Sequence, residues 1–366
     1  MARRKRKKPG IFSRIIKFFI VILACVILLI PALLGVVMYL NAPVQSDKRL
    51  LITEYPDGIT RAEDDSYYIE VRRGESAQSV GRRLEIAGII SNRHFWYILC
   101  RLGNEYLKTG MYRIEMPSSQ IAIQRLLVSG RQILHRVTIP EGVTLKKTAR
   151  ILEDAGICSA EDFIEAAADP AIVGHYRIPN TTMEGYLFPD TYLFPGEYPA
   201  ARVVRHMADT FFTRLGHINP AAIYMTPEEL NRYVILASIV EREYRLSDEA
   251  PVMAGVFNNR LQIGMALQSC ATVEYIITEI LDRPHPTVLF NRDLEIRSPY
   301  NTYLVPGLPP GPISAPGIVA LQSSFFPAET QFFYFRLTDP QTGRHYFSRT
   351  FDEHIRAGQL VPKGRL

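Results

Sequence analysis

The chain has 366 residues, 47% hydrophobic and 22% charged, the composition of a globular protein with room for two or three domains. Its formal charge is +5, yet residues 1–17 carry eight Lys or Arg and no acid, leaving −3 for residues 18–366. A mildly acidic main body excludes a nucleic-acid-binding surface, which needs basic residues across the folded part.

The basic stretch, residues 1–17, is followed by "FFIVILACVILLIPALLGVVMYL", residues 18–40, without a charge. As a helix these 23 residues reach roughly 35 Å, enough for the ~30 Å hydrocarbon core of a bilayer. A cleaved signal peptide is the competing reading, but its apolar region is only about 7–15 residues long. The sequence therefore predicts an uncleaved single-pass helix in the inner (cytoplasmic) membrane. The positive-inside rule puts the short N-terminus in the cytoplasm and the rest in the periplasm or outside. Cys25 lies in this span, and Cys100, Cys158 and Cys270 form no CxxC pair, so neither a disulfide framework nor a zinc site is expected. The eight histidines include no HExxH pair, so no metal and no cofactor are expected.

Residues 41–66 are polar, broken by proline and glycine, and read as a linker. Then the chain repeats itself at an offset of 68: "RGESAQSVGRRLEIAGIIS" from Arg73 and "EGVTLKKTARILEDAGICS" from Glu141. Each copy predicts a strand ("YYIEV", "HRVTI"), a Gly turn, a helix capped by Ser76 or Thr144 and stopped by Gly88 or Gly156, then a second helix. Only the first copy shows a clear return strand, around "TGMYRI". This β-α-α-β unit, residues 67–135, resembles a LysM module, a fold that holds glycan; a generic α/β spacer is the alternative. Residues 136–178 form the second, repeat-like α/β segment.

Residues 179–366 have a different texture. Proline and aromatic residues crowd into "TTMEGYLFPDTYLFPGEYP" and "SPYNTYLVPGLPPGPISAPG", stiff extended segments because proline fixes φ. Helices lie between them, and "FFYFRLTDPQTGRHYFSRT" alternates as a hairpin turning at residues 339–343. The expected fold class is α+β: an N-terminal transmembrane helix, LysM-like modules and a C-terminal α+β domain. In "TPEELNRYVILASIVEREY" Thr226, Pro227 and Glu229 form a capping box, and the helix behind them is apolar on nearly every side. An all-round apolar helix is a buried one. Glu241 and Glu243 close it, about 200° apart around the axis, so they should not share a pocket. The helix dipole and desolvation both raise a carboxyl pKa there, as a general acid requires. The plainer alternative pairs each acid with Arg242, Arg245 or Arg260.

"LASIVERE", "AGVFNNRLQIGMALQS", "SPYNTY" and "GLPPGPI", in this order behind the apolar span and LysM-like unit, resemble the endolytic murein transglycosylase (YceG-like) family. The resemblance implies a lytic transglycosylase that cleaves between N-acetylmuramic acid and N-acetylglucosamine in nascent peptidoglycan, leaving 1,6-anhydro ends. It implies peptidoglycan strands as partner, with peptidoglycan synthases nearby, and places the catalytic acid, the second of an E-x-E motif, at Glu243. Relatives often carry an acid where this chain has Cys270, which is expected to be a small buried packing residue. Gln268, Ser269, Tyr300, Asn301 and Tyr303 are the expected substrate-binding residues, since aromatic faces and amides suit sugar rings and N-acetyl groups; core packing is the alternative for the tyrosines. Glu184 is either a second catalytic carboxyl or an acid satisfied by backbone amides. Two other classes stay open: a hydrolytic muramidase, which needs Glu184, Asp190 or another acid opposite Glu243, and a non-enzymatic glycan-binding scaffold.

Overall fold

The computed structural model describes residues 11–45, 52, 54–62, 64–103, 106–132 and 134–359. Residues 1–10 of the expected cytoplasmic segment, and parts of the expected linker, lie outside the described residues. The chain divides into two units, Met1–Ile133 and Leu134–Leu366. Both are α+β, with helices packed on small antiparallel sheets.

The first unit opens with α1 (Ile11–Leu40), a continuous helix with Pro31 inside it. Leu28, Leu33 and Met38 are exposed along it. Among the described residues no helix is long and apolar enough to cross a membrane. Side chains in α1 are described without a break only over residues 27–40, which rise about 21 Å. The end of α1 is tied down. The Gln120 amide donates to the Leu40 carbonyl and to Ser91 Oγ, each at 2.9 Å, and the Ile121 N–H donates to Asn41 Oδ1 at 2.9 Å.

Strands β1 (Ile59–Arg61), β2 (Tyr67–Val71) and β3 (Gly110–Ile114) form an antiparallel sheet in the order β1-β2-β3. Ile69 lies opposite Ile59 on one side and Tyr112 on the other. Strand β1 falls within the segment expected as linker. Gly58, at φ +80°, turns the chain there, and Ile59 joins the core, where its burial offsets the cost of ordering the strand. Helices α2 (Ala77–Ile86) and α3 (Arg93–Leu102) connect β2 to β3, and α4 (Gln120–Ser129) follows. Tyr67, Ile69, Leu84, Trp96, Tyr112 and Leu127 are central to the core they share.

The second unit begins with the other copy of the repeat: β4 (Leu134–Thr138), α5 (Leu145–Asp154) and α6 (Ala160–Ala167). Its local physics follows the first copy closely. Ser76 accepts from Ser79 N and Thr144 from Lys147 N, capping α2 and α5. Gly88 and Gly156, at φ +67° and +68°, end those helices in Schellman turns: Ile89 N and Ile157 N each donate across the turn at 2.9 Å, to the Leu84 and Leu152 carbonyls. Glu85 and Glu153 then each accept from the first turn of the next helix, at Arg93 N and Ala160 N, both at 3.0 Å. The return strand also exists in the second copy, but after α7 (Pro170–His175) and a long loop: β5 (Thr191–Pro195) pairs antiparallel with β4.

Beyond it come α8 (Ala200–Ile218), α9 (Pro227–Glu243), α10 (Ala250–Gln262) and α11 (Cys270–Tyr275), the last continuing into a π turn. The short α12 (Asn291–Leu294), α13 (Ile318–Phe325), the hairpin β6 (Tyr334–Asp339)–β7 (Arg344–Ser348) and α14 (Phe351–Ala357) complete it. Helix α9 starts in the expected capping box, with Glu229 N donating to Thr226 Oγ1 and Thr226 N to Glu229 Oε2. Residues 234–240 are buried without exception, because α9 packs against α10, α11 and α13. It is the axis on which the acids are mounted.

Candidate functional site

Helix α9 delivers Glu241 and Glu243 to its C-terminal turn, and neighbouring segments separate them. Glu241 Oε2 accepts from Gly317 N at 2.9 Å, at the start of α13. Burial pushes its pKa up to about 7, and the charge of Glu141 adds to the effect. Glu243 faces α11, whose preceding residue Ser269 donates its hydroxyl to Glu243 Oε1 at 2.5 Å. The residue keeps a solvent-facing edge while protein surrounds most of its carboxyl. Burial therefore raises the Glu243 pKa, with the Ser269 hydrogen bond pulling the other way. Among more distant groups, the charge of Glu274 raises it and those of His345 and Arg242 lower it.

Neither acid has an arginine partner among the described residues. Arg242 pairs with Glu274 at 2.7 Å. Arg260 is buried, and its Nε and Nη1 donate to the carbonyls of Phe333 and Leu267, both at 2.6 Å. The geometry thus leaves Glu243 with a hydroxyl donor and no ion pair.

The loops around the acids are stitched together at Thr302. Its hydroxyl accepts from Ser269 N at 3.0 Å and lies 2.8 Å from Thr272 Oγ1, while its carbonyl accepts from Gln268 N at 3.0 Å. Ser269 is thereby locked beside Glu243. Gln268 sits at φ +51°, a left-handed conformation that costs a non-glycine residue roughly 1–3 kcal/mol, and its side chain is exposed. Tyr303 is on the Glu243 side, its hydroxyl 3.1 Å from Cys270 Sγ. Cys270 is exposed, not a buried packing residue as expected, because it begins α11 with its thiol turned toward Tyr303.

Asn301 and Tyr300 stand differently. Asn301 is fully buried; its amide donates to the carbonyls of Leu294 and Ile296 and accepts from Tyr303 N. That commits it to shaping the loop and corrects the expectation that it faces a ligand. Tyr300 stacks obliquely on Tyr275, ring centroids 5.2 Å apart, within reach of the charge of Glu184. Glu184 itself is buried at the N-terminus of α5, both oxygens accepting from Leu145 N at 3.0–3.1 Å.

Several contributors escaped the sequence reading. Thr302 carries no signal beyond lying inside "SPYNTY". His345, held by Glu249 at 2.8 Å, sits in an ordinary alternating strand. Glu274 did leave a trace: one acid in the apolar run "ATVEYII", four residues beyond Cys270.

Fold and site together define an α+β protein in which a buried helix presents an acid, free of ion pairing, to a set of polar loops. The YceG-like family profile matches residues 69–359, and the chain belongs to that family. It is 27% identical over 305 residues to a Bacillus subtilis protein named endolytic murein transglycosylase, covering 79% of this chain and 83% of that one. A protein of the same name from Streptococcus pneumoniae is 26% identical over 319 residues, covering 79% of this chain; the chain spans only 57% of that relative's length. A crystal structure of a YceG-like protein from Listeria monocytogenes superposes with a TM-score of 0.53 at 27% identity, over 80% of this chain and 99% of that one.

Proposed function

We propose that the chain is a peptidoglycan lytic transglycosylase with Glu243 as its general acid. The observation that carries this reading is the state of Glu243: partly open to solvent, its pKa raised by burial, hydrogen-bonded by Ser269 and free of arginine. A carboxyl so placed holds a proton to give. Glu243 protonates the bridging oxygen, the glycosidic C–O bond breaks, and the leaving sugar departs with a new hydroxyl. Positive charge develops on the muramyl ring. The ring's own C6 hydroxyl attacks C1, and the Glu243 carboxylate takes that hydroxyl's proton as the 1,6-anhydro bridge forms. No water is consumed, so one carboxyl serves both proton transfers, and the intramolecular attack makes proximity the main resource.

Ser269 orients the acid, while Gln268 and Tyr303, at the surface beside it, are suited to hold the sugar. A hydrolytic muramidase needs a second free carboxyl across the bond. The two sequence candidates are otherwise engaged: Glu184 at Leu145 N, Asp190 with Arg214 at 3.0 Å.

The apolar run in α1 supports a single-pass anchor, with the basic N-terminus in the cytoplasm and both folded units outside, near newly made strands and their synthases. The first unit, LysM-like in its strand-helix-helix-strand order, is suited to hold the glycan.

The deciding experiment compares wild type and Glu243→Gln on purified glycan strands. Anhydro-ended fragments from wild type and a loss of at least about a hundredfold in the variant are expected, the scale of general acid catalysis. Mass spectrometry checks the chemistry, since products with reducing ends, heavier by one water, would mean hydrolysis. Retained activity in the folded variant removes Glu243 from the mechanism.

A further inference from the structure

Arg242 stands between the two acids in sequence, and its charge acts on Glu243. Its stem passes over Gly142, where an added Cβ would lie 3.4 Å from Arg242 Cδ. From there Nη2 reaches across to Glu274 Oε2 at 2.7 Å, a pair only 20% and 26% exposed. His285 Nε2 approaches the same oxygen at 3.5 Å. Helix α11 thus does two things within little more than a turn. Its N-cap, Ser269, donates to Glu243, and Glu274, five residues on, takes the arginine next to Glu243.

We propose that Glu274 is a positioning residue, drawing the Arg242 guanidinium away from Glu243 so that the acid at the end of α9 has no ion-pair partner. The inference rests on the reading of Glu243 as a general acid. An arginine within about 4–6 Å stabilises a carboxylate, the wrong form for donating a proton. Ser269 hydrogen-bonds Glu243, and the titratable groups whose charge acts on it or feels it are Arg242 from α9 itself, Cys270 and Glu274 from α11, Tyr303 from the adjoining loop, Arg260 from α10 and His345 from β7. Of the two arginines, Arg260 is fixed on backbone carbonyls, which leaves Arg242 as the cation whose position a single partner decides.

The test is the alkaline limb of the pH–rate profile, where a general acid loses its proton and activity falls. In Glu274→Gln, Arg242 is released toward Glu243 and a like charge is lost, so the limb moves to lower pH by about one unit, a roughly tenfold loss on that limb. In Arg242→Gln the limb moves to higher pH, and the double variant returns toward wild type. NMR titration of the Glu243 carboxyl in the same proteins reads these shifts without turnover. Absence of glycan cleavage by wild type therefore sinks the proposed activity and leaves this test standing. An unmoved titration in Glu274→Gln, or an Arg242→Gln shift no larger in the Glu274→Gln background than in wild type, overturns the proposal, since simple charge deletion is additive. Should Glu274→Gln fail to fold, Glu274→Asp decides alone, because its shorter stem keeps the like charge and loses the reach to Arg242: a downward shift supports the latch and no shift overturns it.

Discussion

Glu184 lies buried against the start of α5, and the Leu145 N–H that both its oxygens share does not make up for lost water. Burial pushes its pKa up to about 8, with the charge of Glu279 adding to the rise. Because the folded value lies above the ordinary 4.5, its contribution to stability is full below that value and fades as pH rises through about 8. Glu241, raised to about 7, acts with the same sign. Thermal melts should therefore show the chain more stable near pH 5 than near pH 9. Glu184→Gln, which keeps an acceptor for Leu145 N and has no proton to lose, should flatten part of that slope, the rest belonging to Glu241 and Glu243. An unchanged slope would mean that Glu184 is ionised in the folded protein. The sequence could state that Glu184 was either catalytic or satisfied by backbone; only folding brought Leu145 to it from 39 positions away.

Among the elements, the two copies of the repeat show how much of a helix is written locally. Caps, Schellman glycines and the glutamates that reach the next helix need only neighbours within eight residues, and all were in place at both copies. What the copies pack against is not local. In the first, Gly81 faces Trp96, whose Nε1 donates to the Ala77 carbonyl at 2.9 Å. A Cβ on Gly81 would stand 2.4 Å from Trp96 Cδ1. Gly81→Ala should therefore destabilise the first unit by about 1–3 kcal/mol despite alanine's better helix propensity, because a buried tryptophan has nowhere to move. Urea denaturation followed by the fluorescence of this tryptophan, the chain's only one, measures it. A stabilised variant would show that the contact relaxes freely. The second copy diverges where α7 and a proline-rich loop delay the return strand to β5, which a search for a nearby strand could not find.

At the scale of the molecule, α1 joins the first unit through Leu40 and Asn41, which bond with Ser91, Gln120 and Ile121. If α1 is the anchor, deletion through residue 38 should move the chain from the membrane fraction to the soluble one and leave cleavage of isolated strands intact. Deletion through residue 41 removes the partner of Ile121 N as well, at a further cost of about 1 kcal/mol. A chain that stays membrane-bound after either cut is held by something other than α1. The sequence by itself determined what short-range physics controls: the α+β class, the repeat and its caps, the buried helix α9 and its two diverging terminal acids. Tertiary structure alone decided what surrounds those acids, because Ser269, Glu274 and His345 act on Glu243 from segments 26 to 102 residues away in the chain, with Thr302 fixing Ser269. A charge feels whatever folding sets beside it, and no local pattern records that neighbourhood.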